Sequence, residues 1–323
     1  MTARSLVLAL LALLHAPVAA AEPYPSRPVT LVVPFPPGGP TDALGRLVGE
    51  RMTRSLGQSV IVDNASGAGG TVGTAKVARA AADGYTLCVG QLNSHVFGAA
   101  VYNPPYDVLN DFEPIGMISI SALMMVGRAD LPPGTLAELV TWMKTRPEPA
   151  TFATVGSGSP AHVWTFGFGN TTGVRFQLVP YRGAAPSIQD MLAGRIDLTA
   201  LEASNLLPHV QAGKMKAYAL LSAKRWKIAP DIQTMGEAGF PGYEMPFWTG
   251  LFVRKGTSLE AIARLNAALV ESLADPALQK RLTDLGQEIP SAAEQTPQGF
   301  GARHRADAEK WWPLIKAANI KIE

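Results

Sequence analysis

Val29-Thr-Leu-Val-Val-Pro-Phe-Pro-Pro-Gly-Gly-Pro-Thr-Asp42 passes in fourteen residues from one kind of backbone to another. Val29–Val33 is an apolar run of strand type that breaks at prolines and then at glycines. Leu44, Leu47, Val48 and Met52 follow on one face at the 3.6-residue period of a helix. A buried strand emptying into a Gly-rich turn and a helix start makes an anion pocket. N–H groups at a helix start lack intrahelical partners, and the helix dipole favours negative charge there. The alternative reading of the same residues is a plain strand end and turn.

Upstream, residues 1–21 read as a signal peptide. Arg4 gives the positive charge, Leu6–Leu14 the apolar run, and Ala19-Ala20-Ala21 the small residues of a cleavage site. Nine apolar residues are too few for a bilayer span, which needs about 20. Cleavage after Ala21 leaves 302 residues beginning at Glu22. The single cysteine, Cys88, sits in an apolar strand and reads as a small buried hydrophobe. Stability must then come from a sizeable core, which a chain with 47% hydrophobic residues can build over two lobes. Without Arg4, 27 basic residues face 26 acidic ones. No basic stripe suits nucleic acid, so the partner is a small molecule or a protein.

Strand and helix alternate through the first half: strand Val29–Val33, helix Asp42–Leu56, strand Ser59–Val62, the turn Ser66-Gly-Ala-Gly-Gly70, an Ala-rich helix and strand Tyr85–Val89. Such βαβαβ order predicts a parallel sheet with ligand bound beyond its carboxyl ends. Ile115–Val126 reads as one apolar run. A second α/β unit follows, with strands at Thr151–Val155, Phe176–Val179 and Ile196–Leu201. After strand Thr249–Val253 the tail is helical: Leu259–Leu273, Pro276–Leu285 and Pro297–Ala318. Ser258, Asp275 and Thr296 mark the helix starts. A tail with one strand is expected to pack back on the first unit, so that the chain crosses between lobes twice. The predicted division is lobe 1 from 22–125 plus 251–323 and lobe 2 from 126–250, with crossings near Val126 and Gly250.

Gly156-Ser-Gly-Ser-Pro-Ala161 has the spacing of a dinucleotide fingerprint, but no acid ends the next strand. Nor does it form a Gly-x-Ser-x-Gly elbow. It reads instead as a second carboxylate cradle, with the Ser157 and Ser159 hydroxyls and Pro160 opening a helix. An exported serine hydrolase using Ser157 or Ser159 with His162 is the alternative of another class. No metal-ligand spacing joins His95, His162, His209 and His304, so neither a metal nor a cofactor is expected. His95 and His162 read equally as ligand contacts or packed turn residues. His304, between Arg303 and Arg305, reads as surface; Trp311-Trp312 reads as core docking on the first lobe. Arg182 could pair a ligand carboxylate or lie at the cleft rim.

In order and spacing, these segments resemble the solute-binding receptors of tripartite tricarboxylate transporters, the Bug-type proteins. The likeness runs through Tyr24-Pro-Ser-Arg-Pro28, Val-Val-Pro-Phe-Pro-Pro-Gly-Gly39, Gly67-Ala-Gly-Gly70, Asp83-Gly-Tyr-Thr-Leu87, Gly156-Ser-Gly-Ser159, Val179-Pro-Tyr-Arg-Gly183 and Gly239-Phe-Pro-Gly-Tyr243. The resemblance implies an α/β, two-lobed periplasmic-binding-protein (Venus flytrap, type II-like) fold with the ligand cleft between lobes. It implies a periplasmic, monomeric receptor without catalytic activity, serving a two-component membrane permease or a sensor protein. The site it implies is Phe35, Pro37, Gly38, Gly39 and Asp42 with Gln91 and Ser94 on the first lobe. On the second it is Ser157, Gly158, Ser159 and His162, then Tyr181, Arg182, Glu202 and Asn205. Relatives carry Phe-Asp or Phe-Asn where this chain has Ala200-Leu201, and the acid stands one place later, at Glu202. Loss of that acidic contact would disfavour an amino acid and leave room for aromatic or longer carboxylates.

Overall fold

The computed structural model describes residues 23–156 and 158–320. The leader and Ser157 lie outside the described residues. The opening stretch forms β1 (Val29–Val33), whose Val29, Leu31, Val32 and Val33 are all sealed from solvent. Covered on both faces, such a strand is apolar throughout rather than alternating. Pro40 opens α1 (Pro40–Leu56), where its missing N–H costs nothing, and Gly57 closes it at φ 71°. β2 (Val60–Asn64), α2 (Thr71–Ala78) and β3 (Thr86–Gln91) follow, with β2 and β3 parallel to β1 on either side of it.

After a π-turn at Asn93–Phe97 and the short α3 (Gly98–Tyr102), β4 (Phe112–Ser121) forms the edge of this first sheet. With β10 (Phe247–Arg254) inserted from the far end of the chain, its order is β2-β1-β3-β10-β4. The second sheet has the order β7-β6-β8-β5-β9. It is built from β5 (Leu123–Arg128), β6 (Ala150–Thr154), β7 (Phe176–Pro180), β8 (Leu198–Glu202) and β9 (Met215–Leu220). Between these strands run α4 (Leu136–Thr145), α5 (Pro160–Thr172), α6 (Ala184–Leu192) and α7 (Ala203–Gln211).

The apolar run at 115–126 is thus two strands in two sheets, separated by Ala122 alone. Its polar residues, Ser119 and Ser121, are as buried as their apolar neighbours and so do not mark the change. The crossings shift accordingly. Leu123–Met125 belong with the second lobe, while β10 (Phe247–Arg254) returns Phe247–Gly250 to the first. Val126 and Gly250 are sheet residues rather than crossing points.

The tail folds back on the first sheet as α8 (Leu259–Ala274), α9 (Pro276–Asp284) and α10 (Pro297–Ala318). Ser258, Asp275 and Thr296 each accept a first-turn N–H, at 3.2, 2.9 and 3.0 Å. Ile262, Leu265 and Leu269 of α8 share a core with Leu44, Leu47 and Met52 of α1. Trp311 packs on Phe97 at 5.7 Å, and Trp312 Nε1 donates to the Val96 carbonyl at 3.0 Å. His304 corrects its sequence reading: it is 4% exposed, because the helix face that carries it lies against Trp248 and Phe252 of β10.

Candidate functional site

A cavity of ≈ 710 Å³ opens between the lobes, a size suited to a small organic ligand. On the first-lobe side it is bounded by the carboxyl ends of β1, β2 and β3, on the second by those of β6, β7 and β8. Ligands bind at this end of such sheets.

The loop after β1 brings Phe35 to the cavity, but Asp42 holds its far side shut. Asp42 Oδ2 accepts from the Gly38 N–H and from Arg46 Nε, both at 2.9 Å, and Oδ1 accepts from Asn64 Nδ2 at 2.9 Å. Asn64 Nδ2 also donates to the Phe35 carbonyl at 3.1 Å. The hydrogen bond from Arg46 holds the Asp42 carboxyl down at about 2, against the upward push of burial and aided by Gly38. Pro37, Gly38, Gly39 and Asp42 are not among the cavity's lining, and Asp42 braces the loop by taking the Gly38 N–H. Pro34, Pro36, Pro40 and Thr41 line it instead.

Gln91 reaches the cavity from the end of β3. Its Nε2 donates to Thr41 Oγ1 at 2.9 Å and to Thr249 Oγ1 at 3.3 Å, tying α1, β3 and β10 together at the floor. Ser94 does not reach the cavity. Its hydroxyl accepts the Gln91 N–H at 3.1 Å and meets His95 Nδ1 at 3.0 Å, wholly buried.

Ser66–Gly70 contributes a wall the site prediction omitted. Gly67, Ala68, Gly69 and Gly70 all have positive φ, so this turn presents backbone where side chains would otherwise stand. Its signal was legible, since the turn follows a parallel strand as the turn after β1 does.

On the second lobe, Tyr181, Arg182, Glu202 and Asn205 all line the cavity. Tyr181 offers its ring, because its hydroxyl donates to Asp190 Oδ2 at 2.8 Å. Arg182 makes no ion pair with any described residue and is the only lysine or arginine among the described residues that line the cavity. Glu202 is the only carboxylate among those described residues, with Oε2 accepting from Ser121 Oγ at 3.2 Å and Gln287 Nε2 at 3.5 Å. Desolvation raises the Glu202 carboxyl above the ordinary range, and the hydrogen bonds from Ser121 and Gln287 oppose that rise.

The second cradle is less engaged than predicted. Gly156, Pro160 and Ala161 face the cavity, but Gly158, Ser159 and His162 do not. Gly158 packs on Val101, and its N–H donates to His162 Nδ1 at 3.3 Å. Ser159 Oγ is buried without a partner, so the Ser159–His162 pairing that a hydrolase would use is not formed. A buried hydroxyl left unpaired costs about 1–3 kcal/mol. Ser159→Ala is therefore expected to raise the melting temperature, by the equivalent of about 1 kcal/mol. A fall on calorimetry would mean that the hydroxyl is satisfied after all.

With this geometry in view, comparison with known proteins is decisive. The sequence profile described as "Tripartite tricarboxylate transporter family receptor" matches residues 44–320. The chain belongs to that family. The solved periplasmic binding protein BugD is 36% identical, covering 93% of this chain and all of its own, with a TM-score of 0.80. MatC of Rhodopseudomonas palustris with bound malate is 33% identical, covering 90% of this chain and all of its own, with a TM-score of 0.80. The R. palustris protein Rpa4515 with adipate is 33% identical, covering 92% of this chain and 99% of its own, with a TM-score of 0.82. As a member of this receptor family the chain is a solute-binding protein with the two-lobed periplasmic-binding-protein fold.

Proposed function

We propose that the protein captures an organic carboxylate in the interlobe cavity and delivers it to a two-component membrane permease. The observation that carries the reading is Arg182, a cation facing a mainly apolar cavity with no carboxylate of the described residues paired to it. A guanidinium in that position offers a fork matched to a carboxylate. The bound malate and adipate of two relatives support the same ligand class. The leader would place the mature chain in the periplasm, where cell fractionation with an antibody against it provides the check. The backbone of the Ser66–Gly70 turn and the first turn of α1 would supply the remaining donors.

The test is a thermal-shift and calorimetry screen of residues 22–323 against mono-, di- and tricarboxylates and aromatic acids. A ligand that binds only the folded state raises stability by about 2.7 kcal/mol at a hundredfold excess over Kd. Arg182→Ala is expected to weaken the best ligand at least tenfold. The exposure of Arg182 to solvent keeps its effect near the low end for a charged hydrogen bond. An unchanged Kd in that variant would remove Arg182 from the site.

A further inference from the structure

We propose that the ligand carries a hydrogen-bond donor, a hydroxyl or an ammonium group, at the end remote from its carboxylate, and that Glu202 Oε1 selects it. The inference rests on the carboxylate reading above and concerns the other end of the same molecule.

Three features of the second sheet support it. The first is alignment. β6 lies between β7 and β8, parallel to both, with Thr154 opposite Pro180 and Ala153 opposite Thr199. Continued past the last paired residues, those registers set Arg182, Gly156 and Glu202 side by side across the carboxyl ends of three strands. Two interstrand steps separate Arg182 from Glu202 at the backbone, or about 10 Å. The second is the space between them. Gly156 has no side chain, and a Cβ built there would meet nothing within 4 Å. Val155, Leu201 and Ala161 make the neighbouring surface apolar. The line from Arg182 to Glu202 thus runs over an open, apolar gap that fits the body of a ligand.

The third is the state of Glu202 itself. Both protein donors, Ser121 Oγ and Gln287 Nε2, go to Oε2. Oε1 accepts nothing from a described residue, yet it is not among the sealed unpartnered atoms, so it opens on the cavity. A carboxylate oxygen in such a place asks for a donor. A second ligand carboxylate there would meet like charge in a partly desolvated setting. Asn205 lines the same end, but its amide both donates and accepts and so does not discriminate. The structure therefore revises the expectation drawn from Ala200-Leu201: the acid is one residue later in sequence but still in the cavity.

The test is isothermal titration of residues 22–323 with four ligands of one length: hexanoate, 6-hydroxyhexanoate, 6-aminohexanoate and adipate. 4-Hydroxybenzoate and terephthalate repeat the comparison on a ring. At least one donor-bearing ligand is expected to bind ten times more tightly than the diacid and unsubstituted acid of the same body. The hydroxyl and ammonium arms tell which donor it is. In Glu202→Gln, whose amide can also donate, that preference is expected to fall below threefold, with adipate gaining. A diacid binding as tightly as the donor-bearing acids would overturn the proposal, and a protonated Glu202 would give that result. So would an unchanged ranking in Glu202→Gln. Should that variant not fold, the wild-type ranking decides alone. If no carboxylate binds, the capture reading itself fails; binding without a far-end preference removes only this inference.

Discussion

Acidification from pH 7 to pH 4 is expected to cost the folded protein about 3 kcal/mol through His304 alone. The imidazole is 4% exposed, edge-on to Trp248 and Phe252, and its Nε2 donates to the His95 carbonyl at 2.9 Å. Burial is the main cause that lowers it from 6.5 to about 4. Arg305 adds to the lowering, while the His95 carbonyl, Asp307 and Asp107 resist it. His95 is lowered too, by desolvation first and by His304 second, and it stacks on Phe252 at 4.3 Å. The unfolded chain takes up a proton on His304 below about pH 6.5, and the folded chain refuses it until about pH 4. Stability from this group is therefore complete above pH 6.5 and drains away as pH falls toward 4. At about 1.36 kcal/mol per pH unit, the interval amounts to roughly 3 kcal/mol. Urea midpoints at pH 7.5 and 4.5 measure it. His304→Gln, which can still donate to the His95 carbonyl, should reduce the difference by about that amount and leave the share of the equally buried His95. A slope identical to wild type would assign the acid sensitivity to other groups.

Asp42→Asn is expected to destabilise the protein by about 2 kcal/mol at neutral pH. The native carboxylate accepts from Gly38, Arg46 and Asn64 while only 3% exposed, which accounts for its fall from 3.8 to about 2. At 1.36 kcal/mol per pH unit that fall is worth about 2 kcal/mol. The pH dependence has the same sign as that of His304 and lies in a lower window. A depressed carboxyl stabilises above the unfolded value, near pH 4, and its contribution fades as pH drops through about 2. Denaturation of wild type and variant at pH 7 gives the difference, which should narrow below pH 4. Ligand affinity should fall with it, since the same network fixes Phe35 at the cavity wall. A variant as stable as wild type at pH 7 would show that Arg46 and Asn64 find other partners.

Periodicity and helix-end chemistry made the two α/β units and the tail legible, because they are local properties of the chain. Ser258, Asp275 and Thr296 cap the helices assigned to them for that reason. Strand-to-sheet assignment was not local. Ile115–Val126 is apolar but for Gly116, Ser119 and Ser121, and only tertiary pairing tells β4 from β5. Phe35, Gln91, Tyr181, Arg182, Glu202 and Asn205 meet at the cavity as sequence reasoning had gathered them. Gly38 and Ser94 stand off the cavity lining for a common cause: sequence shows that a group can donate or accept, not that a neighbour has already claimed it. Asp42 claims the Gly38 N–H, and the Gln91 backbone and His95 claim the Ser94 hydroxyl. His304 misled because its charged sequence neighbours point to solvent while its own helix face does not.

β10 lies between β3 and β4, although more than a hundred residues separate it from either in sequence. The consequence is one of timing. Until residue 254 has emerged, the first sheet is two unjoined pieces, β2-β1-β3 and β4, each with an open edge. The second sheet draws only on residues 123–220 and is complete long before. The inner portion of the chain can thus finish while the outer portion waits for the tail. Closing contacts as distant as Arg51 with Asp275 makes that wait slow as well as late. A delay of this kind would suit the proposed export of the chain before it folds.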